Sequence, residues 1–386
     1  MALYEMRKFV APEFIFGVNA RHRVGFYARN MMARRVFVVT DPGVIAAGWV
    51  RDVIADLTEV GIESVIFQEL TSNPKDHEVM AGAEMYARER CDVIVAVGGG
   101  SVIDCAKAIG IVHTNGGHIL DFEGADQIDI PGPPLICIPT TAGTAADISQ
   151  FCIIVNSPER YKMAIISKCM VPDVALVDPE TTLTMDSYLT ACTGIDALTH
   201  AIEAYVSVMA SDYTRGLSLQ AIKIVFDYLE RSVKNPDLES REKMHNASTM
   251  AGMAFANAFL GISHSIAHKI GGEYGIPHGR TNAILLPEII RYNAKDPQKH
   301  AMFPKYDYFR ADKDYADIAR YMGWGTDKQS DAELVEVLAQ KVYELGIAVG
   351  IDMNWKGQGV TKKLLQDTAY TLAEHAYEDQ CTTANP

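Results

Sequence analysis

The sequence predicts an α/β amino-terminal domain built on a parallel sheet, followed by an all-helical carboxyl-terminal domain. Short apolar runs alternate with stretches of helical periodicity through roughly the first 180 residues, a pattern typical of parallel strands joined by crossover helices. After about Ser187, strand patterns nearly vanish and long segments rich in Ala, Met and Leu take over. We therefore expect domains at residues 1–185 and 186–386.

The strands and helices follow one another in order. The run VFVVTD at 36–41 is apolar up to its polar end, which suits a strand buried on both faces. Apolar residues at helical spacing follow over 50–60. The alternation continues with a strand at 64–70, a helix at 76–90, a strand at 92–97, a helix at 101–112, and apolar runs at 134–139 and 171–180. The second domain contains predicted helices at 196–208, 213–233 and 241–260.

Composition limits the classes of function. Hydrophobic residues make up 48% of the 386 residues, which is ample for sizeable cores. The net charge of −14, without any run of Lys and Arg, argues against binding to nucleic acid or to an anionic membrane. The sequence has no membrane-spanning apolar stretch, no apolar region of a secretory signal and no CxxC pair among its seven cysteines. We therefore expect a cytoplasmic protein with reduced thiols.

A glycine-rich turn follows the strand DVIVAV. Gly98, Gly99, Gly100 and Ser101 open the next helix, whose first N–H groups and positive dipole end suit a phosphate. The dinucleotide fingerprint G-x-G-x-x-G is incomplete, because its last position is Ile103. The turn by itself is therefore equally compatible with a tight turn that binds no ligand.

Polar residues at further strand ends favour a bound nucleotide. Asp41 ends the first strong strand, where a carboxylate can accept hydrogen bonds from ribose hydroxyls. Asp104 lies one turn into the glycine-led helix, and the run TTAGT at 140–144 follows the strand PLICIP. Ligands of open α/β sheets bind at the carboxyl ends of strands. Asp41 has an alternative role as the cap of a turn or helix that begins at Pro42.

Histidines concentrate in the second domain, where five of the eleven lie between positions 200 and 278. Asp196 and His200 are four residues apart and share one helix face, as do His264 and His268. His278 stands between a proline and a glycine and is expected in a loop. One carboxylate and imidazoles from separate segments suit a divalent metal, although a single histidine is more often structural. Only one of His264 and His268 need bind the metal, which leaves the other for proton transfer.

In combination, the motifs carry a family resemblance. GGGSVIDCAKAIG, TTAGT, TGIDALTHAIEAYVS, GISHSIAHKIGG and IPHGRTNAILLP occur in this order. The chain thereby resembles the iron-dependent, or group III, alcohol dehydrogenases, and residues 241–294 look most like the alcohol dehydrogenase half of bifunctional aldehyde-alcohol dehydrogenases. The resemblance implies a Rossmann-like dinucleotide-binding domain and a helical metal-binding domain, with the active site in the cleft between them.

The resemblance also implies roles for individual residues. The metal ligands would be Asp196, His200, His264 and His278, with Fe²⁺ as the expected metal and Zn²⁺ or Mn²⁺ as alternatives. His268 matches a histidine that lies near the nicotinamide without binding the metal, and it is the expected proton-transfer residue. The residues that match NAD(H)-binding positions are Asp41, Asn73, Gly99, Gly100, Ser101, Asp104, Thr140, Thr141, Thr144 and Lys162.

The expected substrate pocket departs from the family pattern. The family usually continues TTAGT with Gly-Ser-Glu, whereas this chain has Ala145, Ala146 and Asp147. If the backbone is extended after His278, Arg280 points the same way as that ligand and offers a guanidinium to an anion. An ion pair at the surface or between domains is the competing role for Arg280. The four expected substrate contacts are Gln150, Phe151, Phe255 and Arg280.

Three functions follow from these observations. The resemblance implies an NAD(H)-linked, metal-dependent alcohol dehydrogenase or aldehyde reductase for short-chain substrates, which forms a homo-oligomer such as a dimer. Arg280 and the altered segment suggest a reductase dedicated to a small anionic aldehyde such as sulfoacetaldehyde. A third possibility, from another class, is an assembly or scaffold module related to filament-forming bifunctional enzymes.

Overall fold

The computed structural model describes residues 8–159, 161–295, 309–326 and 328–386. The chain divides into two compact units. Among the described residues, the α/β unit comprises Val10–Met185 and Asp237–His245, and the helical unit comprises Asp186–Pro236 and Asn246–Pro386 together with Lys8 and Phe9. The predicted fold class, an α/β part followed by a helical part, is confirmed.

The strands of the described residues belong to the α/β unit. In the described residues they are β1 (Glu13–Phe16), β2 (Arg35–Val39), β3 (Glu63–Phe67), β4 (Val93–Gly98), β5 (Gly124–Ala125), β6 (Leu135–Pro139), β7 (Phe151–Asn156), β8 (Tyr161–Ile166) and β9 (Val174–Val177). Five helices accompany them: α1 (Val24–Asn30), α2 (Pro42–Ala47), α3 (Trp49–Glu59), α4 (Asp76–Glu89) and α5 (Gly100–Asn115).

A six-stranded parallel sheet forms the centre of this unit, with the strand order β1-β9-β6-β4-β2-β3. Strand β2 pairs with β3 on one side and with β4 on the other. The chain therefore reverses its progress across the sheet beside β2. In sheets of this kind, ligands bind at such a reversal, beyond the carboxyl ends of the strands.

Side chains of this sheet are buried on both faces. Phe37 and Ile94 belong to a core shared with α4 and α5. Their neighbours Val36, Val38 and Val95 point to the other face, into a core shared with α1 and α3. Burial on both faces explains why these strands are apolar throughout instead of alternating.

A second, three-stranded sheet has the order β5-β8-β7 and was not predicted. Strands β7 and β8 pair antiparallel, from Phe151 opposite Ile166 to Asn156 opposite Tyr161. Residues of β7 alternate between buried and partly exposed positions, although most of its side chains are apolar. The run FCIIVN is apolar like the strands of the parallel sheet, and nothing in it indicates the separate, antiparallel pairing.

Eight helices build the remainder of the described chain: α6 (Ser187–Val206), α7 (Asp212–Lys234), α8 (Leu238–Ala258), α9 (Ile262–Tyr274), α10 (His278–Asn293), α11 (Ala311–Tyr321), α12 (Asp331–Ala348) and α13 (Lys362–Tyr377). Helix α6 is buried on nearly all sides after its first turn. It packs against α7 and α10. Most residues around the circumference of α6 are accordingly apolar or small. Its few ionisable side chains are therefore exceptions that need a structural or functional reason.

None of the described helices is, by itself, both long and apolar enough to cross a membrane. Helices α8 and α9 reach that standard only when they are taken together, and they are bent by 106° at the break between them.

Candidate active site

The four predicted metal ligands meet in the helical unit. Asp196 and His200 lie one turn apart on α6, His264 lies on α9, and His278 begins α10. Asp196, His200 and His264 are each at most 5% exposed, and potential ligand atoms of these three residues all lie within 4.8 Å of one another. The Nε2 atom of His278 lies 3.5 Å from Asp196 Oδ1. The structure therefore brings all four residues together.

Asn282 marks the point on which the ligand atoms converge. Its Nδ2 atom lies 3.0 Å from Asp196 Oδ1, 3.2 Å from His278 Nε2 and 3.4 Å from His264 Nε2. Its amide oxygen accepts a hydrogen bond of 3.2 Å from the hydroxyl of Ser263, which fixes the orientation of the amide. We did not predict this residue from the sequence. The available signal was its spacing, four residues after His278 and on the same helix face.

This donor set fits a divalent first-row metal. One carboxylate oxygen and three imidazole nitrogens suit Fe²⁺, Zn²⁺ or Mn²⁺. Burial of such polar groups in an apolar helical core is costly unless they are paired or bind a metal. The convergence of their atoms on one small region is what a metal ion requires.

Charges in the metal-free site compensate one another. Burial would raise the pKa of the Asp196 carboxyl, but His200, His278 and the hydrogen bond with His264 hold it well below its ordinary value. Burial would lower the pKa of His264, but the carboxylates of Glu203 and Asp196 raise it to about 9. A proton on His264 thus supplies part of the positive charge that a metal would bring.

We expect the metal-free protein to lose stability as the pH rises. The pKa of His264 is about 9 in the folded chain and about 6.5 in an unfolded one. Its stabilising effect is therefore complete below the unfolded pKa and is lost as the pH rises through the folded one. The expected loss is roughly 2–3 kcal/mol, measured by urea unfolding of chelator-treated protein on both sides of this range. The variant His264→Gln cannot titrate there, and an equal loss in both proteins would contradict the assignment.

His278 does not lie in a loop, so that part of the sequence prediction is wrong. It is the first residue of α10, directly after the N-cap Pro277. The following glycine, Gly279, is explained by close packing of two helices: a Cβ atom there would lie 1.9 Å from the carbonyl oxygen of Cys192 on α6. The glycine that indicated a loop instead allows α10 to approach α6.

The prediction that Arg280 points the same way as His278 is also wrong, because the backbone there is helical and not extended. Residues two apart on a helix point in nearly opposite directions. The guanidinium of Arg280 lies 3.8 Å from the ring centre of Tyr188, and Arg280 is only 8% exposed. It also interacts with the thiol of Cys192. The structure thus shows a cation–π contact of Arg280 within the helical unit. The ion pair considered as the competing role of Arg280 is not observed among the described residues either.

His268 lies one turn after His264 on α9. Its ring stacks on that of His278 with the centroids 5.1 Å apart. Its Nδ1 atom lies 3.2 Å from Asp379 Oδ2, and Lys269 Nζ lies 3.0 Å from the same oxygen. Burial opposes ionisation of Asp379, but these two cationic partners hold its pKa well below the ordinary range. The predicted proton-transfer residue is therefore beside the metal ligands and is oriented by a carboxylate.

The remaining predicted substrate residues occupy different surroundings. Phe255 on α8 is 3% exposed and stacks on the ring of His200 with the centroids 4.4 Å apart, so it lies in contact with a candidate ligand. Gln150 is buried directly before β7, and Phe151 begins that strand. The backbone carbonyl of Phe151 accepts a hydrogen bond of 2.8 Å from Lys107 Nζ. Both residues are thus anchored in the α/β unit.

The glycine-rich turn leads directly into α5. Gly99 is the N-cap and Gly100 the first residue, and no side chain caps this helix. Cβ atoms added to these two glycines would lie 3.2 Å from Thr141 Oγ1 and 2.7 Å from Thr144 Oγ1, respectively. The absence of side chains therefore lets the turn and the threonine segment touch, and leaves the helix N-terminus open to an anion. This arrangement fits the pyrophosphate of a dinucleotide.

Other predicted cofactor residues gather at the same edge of the sheet. The backbone N–H of Asn73, after β3, donates a hydrogen bond of 3.1 Å to Ser101 Oγ. The backbone N–H of Thr140, after β6, donates to the carbonyl of the glycine that ends β4. Burial raises the pKa of Asp104 to about 6 against the opposing charge of nearby lysines, which include Lys162 on β8. Asn73 and Thr140 thus lie beside the start of α5, and Asp104 lies within its second turn.

Asp41 performs the alternative role considered for it. It is the N-cap of α2, and its Oδ1 atom accepts a hydrogen bond of 3.0 Å from the Val44 N–H. It also follows β2, at the carboxyl edge where β2 and β4 lie side by side. Capping engages one carboxylate oxygen, so this role does not conflict with ribose binding, which stays a prediction.

Ala145 occupies a position where the iron-dependent alcohol dehydrogenases that the chain resembles usually have glycine. The backbone of Ala145 has φ +48°. Side chains in this left-handed region cost roughly 1–2 kcal/mol. We therefore expect Ala145→Gly to raise the free energy of unfolding by about 0.5–1 kcal/mol after allowance for the flexibility of glycine. Ala146→Gly is the matched control, because Ala146 is buried without this φ, and it should destabilise. Equal effects in urea unfolding would show that no strain is relieved.

Comparison with known proteins agrees with the fold. A family model described as iron-containing alcohol dehydrogenase matches residues 11–179, and the model for the carboxyl-terminal part of the Fe-containing alcohol dehydrogenase family matches residues 190–386. The aldehyde-alcohol dehydrogenase of Streptococcus pneumoniae is 47% identical over 381 residues, which cover 95% of this chain and 43% of that protein. The chain thus spans less than half the length of this relative.

Solved structures are similar over nearly the whole chain. A crystal structure of 1,3-propanediol oxidoreductase has a TM-score of 0.91 at 36% identity, covering 99% of this chain and 96% of the other. The sulfoacetaldehyde reductase of Bifidobacterium kashiwanohense in complex with NAD⁺ has a TM-score of 0.84 at 28% identity, covering 99% and 95%. The fold agrees with that of the alcohol dehydrogenases to which the chain is similar. The chain belongs to the iron-containing alcohol dehydrogenase family, as the sequence motifs predicted.

Proposed function

We propose that this chain is a metal-dependent, NAD(H)-linked alcohol dehydrogenase that interconverts short-chain aldehydes and alcohols. The observation that carries the proposal is the convergence of Asp196, His200, His264 and His278 on one buried region. In the α/β unit, the uncapped, glycine-led helix α5 offers a site for a dinucleotide. Because the chain belongs to the iron-containing alcohol dehydrogenase family, we assign the metal site and the dinucleotide site to one reaction.

The four converging residues would hold the metal, with Fe²⁺ as the expected ion and Zn²⁺ or Mn²⁺ as alternatives. A bound divalent ion supplies Lewis acidity, which polarises the oxygen of an alcohol or aldehyde. Asn282, whose amide is fixed by the Ser263 hydroxyl, would orient the Asp196 carboxylate through its hydrogen bond to Oδ1. Phe255 covers the ring of His200 and excludes water from that side.

NAD(H) would be held by the start of α5 and by the residues around it. The nicotinamide supplies or accepts the hydride, and the protein fixes its position. The free N–H groups of the first turn of α5 would bind the pyrophosphate. The carboxylate of Asp41 would accept hydrogen bonds from the ribose hydroxyls.

His268 would exchange the substrate's proton with solvent. A histidine suits this task because its pKa lies near neutral pH. The Asp379 carboxylate, 3.2 Å from His268 Nδ1, holds the ring in one orientation. The other ring nitrogen, Nε2, would then exchange the proton.

The test is NADH consumption by the Fe²⁺-loaded protein with a panel of short aldehydes. The proposal requires turnover that disappears with a chelator and returns with the metal. Absence of turnover with every aldehyde, in protein that binds both metal and NADH, would instead favour the assembly or scaffold module. Measurement of particle size in the same samples decides that alternative, and also tests the expected dimer.

The panel includes sulfoacetaldehyde because one solved relative carries that activity in its name. The guanidinium of Arg280 stacks on Tyr188, so no described contact of Arg280 favours an anionic substrate. A preference for sulfoacetaldehyde over propanal that Arg280→Leu abolishes would restore this alternative.

A further inference from the structure

Glu203 is a buried carboxylate placed between a metal ligand and the start of α9. It lies on α6, three residues after His200, and is 3% exposed. Its Oε2 atom lies 2.5 Å from His264 Nδ1. Its Oε1 atom accepts a hydrogen bond of 2.7 Å from the Ser263 N–H. Both carboxylate oxygens are therefore engaged by α9.

The first turn of α9 depends on side chains from elsewhere in the helical unit. Its N-cap, Gly261, has no side chain that could cap the helix. Asn385 Oδ1 accepts a hydrogen bond of 3.1 Å from the Ile262 N–H, while Glu203 serves the next N–H. A Cβ atom on Gly261 would lie 2.9 Å from both Asn385 Oδ1 and Glu203 Oε1. Glycine thus leaves room for two distant side chains to cap the helix.

The contact with Glu203 determines which nitrogen of His264 can bind a metal. A carboxylate only accepts hydrogen bonds, so the nitrogen beside it, Nδ1, carries hydrogen. When His264 is neutral, its lone pair therefore lies on Nε2. That atom faces Asp196 Oδ1 at 3.7 Å and Asn282 Nδ2 at 3.4 Å. Carboxylates that fix metal-binding imidazoles in this way raise metal affinity in other proteins.

We propose that Glu203 is a positioning residue that fixes His264 as an Nε2 ligand and, with its other oxygen, caps the helix that carries it. The proposal rests on the proposed function, because it assumes that His264 binds the metal. It requires a group with two acceptors, since Nδ1–H and the Ser263 N–H both donate to it. Among the protein side chains of this size, only a carboxylate meets that requirement.

Glu203→Gln keeps the size of the side chain but leaves one acceptor and adds a donor. If the amide oxygen faces Ser263, the amide N–H₂ faces His264 and favours hydrogen on Nε2, where the metal would bind. If the amide oxygen faces His264, the N–H₂ opposes the Ser263 N–H. Metal binding demands the second arrangement. Because that arrangement places two donors against each other, we expect the metal-free variant to adopt the first one, and the cost of leaving it appears as weaker metal affinity.

The experiment starts from the full chain loaded with Zn²⁺ and measures transfer of the metal to a competing chelator. We expect Glu203→Gln to weaken Zn²⁺ binding by about 10- to 100-fold. The control Asn385→Ala removes the other cap of α9 without touching His264. It should lower the thermal stability of the protein and leave Zn²⁺ affinity unchanged.

Two results would overturn the inference. One is a Zn²⁺ affinity of Glu203→Gln equal to that of the wild type. The other is an equal loss of affinity in Glu203→Gln and Asn385→Ala, which would reduce Glu203 to a helix cap. The variant His200→Ala tests the metal site separately from the role of Glu203. Unchanged Zn²⁺ affinity in His200→Ala would refute the metal site itself, and with it the proposed function.

Discussion

Replacement of His264 by Ala is expected to empty the metal site. It should also lower kcat/KM for aldehyde reduction by a factor of about 10³ or more, because a bound metal contributes several kcal/mol of charge stabilisation. The side chain is 1% exposed, and its Nε2 atom faces Asp196. Its removal therefore takes away a donor and leaves a cavity in the helical core. Elemental analysis and steady-state kinetics measure the two effects on the same preparation.

His375→Ala is the control for this variant, because His375 is exposed on α13. It should retain full metal content and turnover. Excess Fe²⁺ should restore part of the activity of His264→Ala only if the remaining three ligands still hold the ion. Stoichiometric metal together with normal turnover in His264→Ala would show that the ligand assignment is wrong.

The sequence was most informative in two places: in strands that are apolar throughout, and in an apolar helix that contains a pair of polar residues. The strands VFVV and VIVAV are apolar throughout because both faces of the sheet are covered by helices, and such runs are distinctive. Asp196 and His200 stand four residues apart in an otherwise apolar helix that is buried on nearly all sides. A polar pair in such a helix can be noticed without a structure, because its burial needs a reason.

The residues that support the ligands could not be identified in the same way. Glu203 and Asn282 are ordinary polar residues within helices, and their partners come from other helices. Glu203 meets His264, which lies 61 positions further along the chain. Asn282 meets Asp196, which lies 86 positions before it. Contacts across such distances depend on how helices pack, and no local pattern records that packing.

Local conformation produced the other differences. A proline and a glycine beside His278 indicated a loop. Proline is also common at the start of a helix, and Gly279 is needed for the close contact of α10 with α6. The error carried over to Arg280, whose direction changes when an extended backbone becomes a helix. The same residue types therefore supported two conformations, and tertiary packing decided between them.

Asp41→Asn is expected to relax the preference for NAD⁺ over NADP⁺ by about a hundredfold, because the carboxylate repels a 2′-phosphate and like charges brought together can cost several kcal/mol. The structure favours Asn as the replacement. Asp41 caps α2 through the Val44 N–H, and an Asn side chain retains an acceptor for that bond. The variant thus removes the charge while it preserves the helix cap.

The measurement is kcat/KM for each cofactor at a fixed, saturating alcohol concentration, together with the thermal stability of each protein. Asp129→Asn is the matched control, since Asp129 is exposed in the same unit and its replacement changes the net charge equally. The ratio of the two kcat/KM values should change in Asp41→Asn and stay constant in the control. An unchanged ratio in a stable Asp41→Asn protein would restrict Asp41 to its role as a helix cap. A change that also occurs in the control would instead reflect the overall negative charge, which acts on any phosphate at long range.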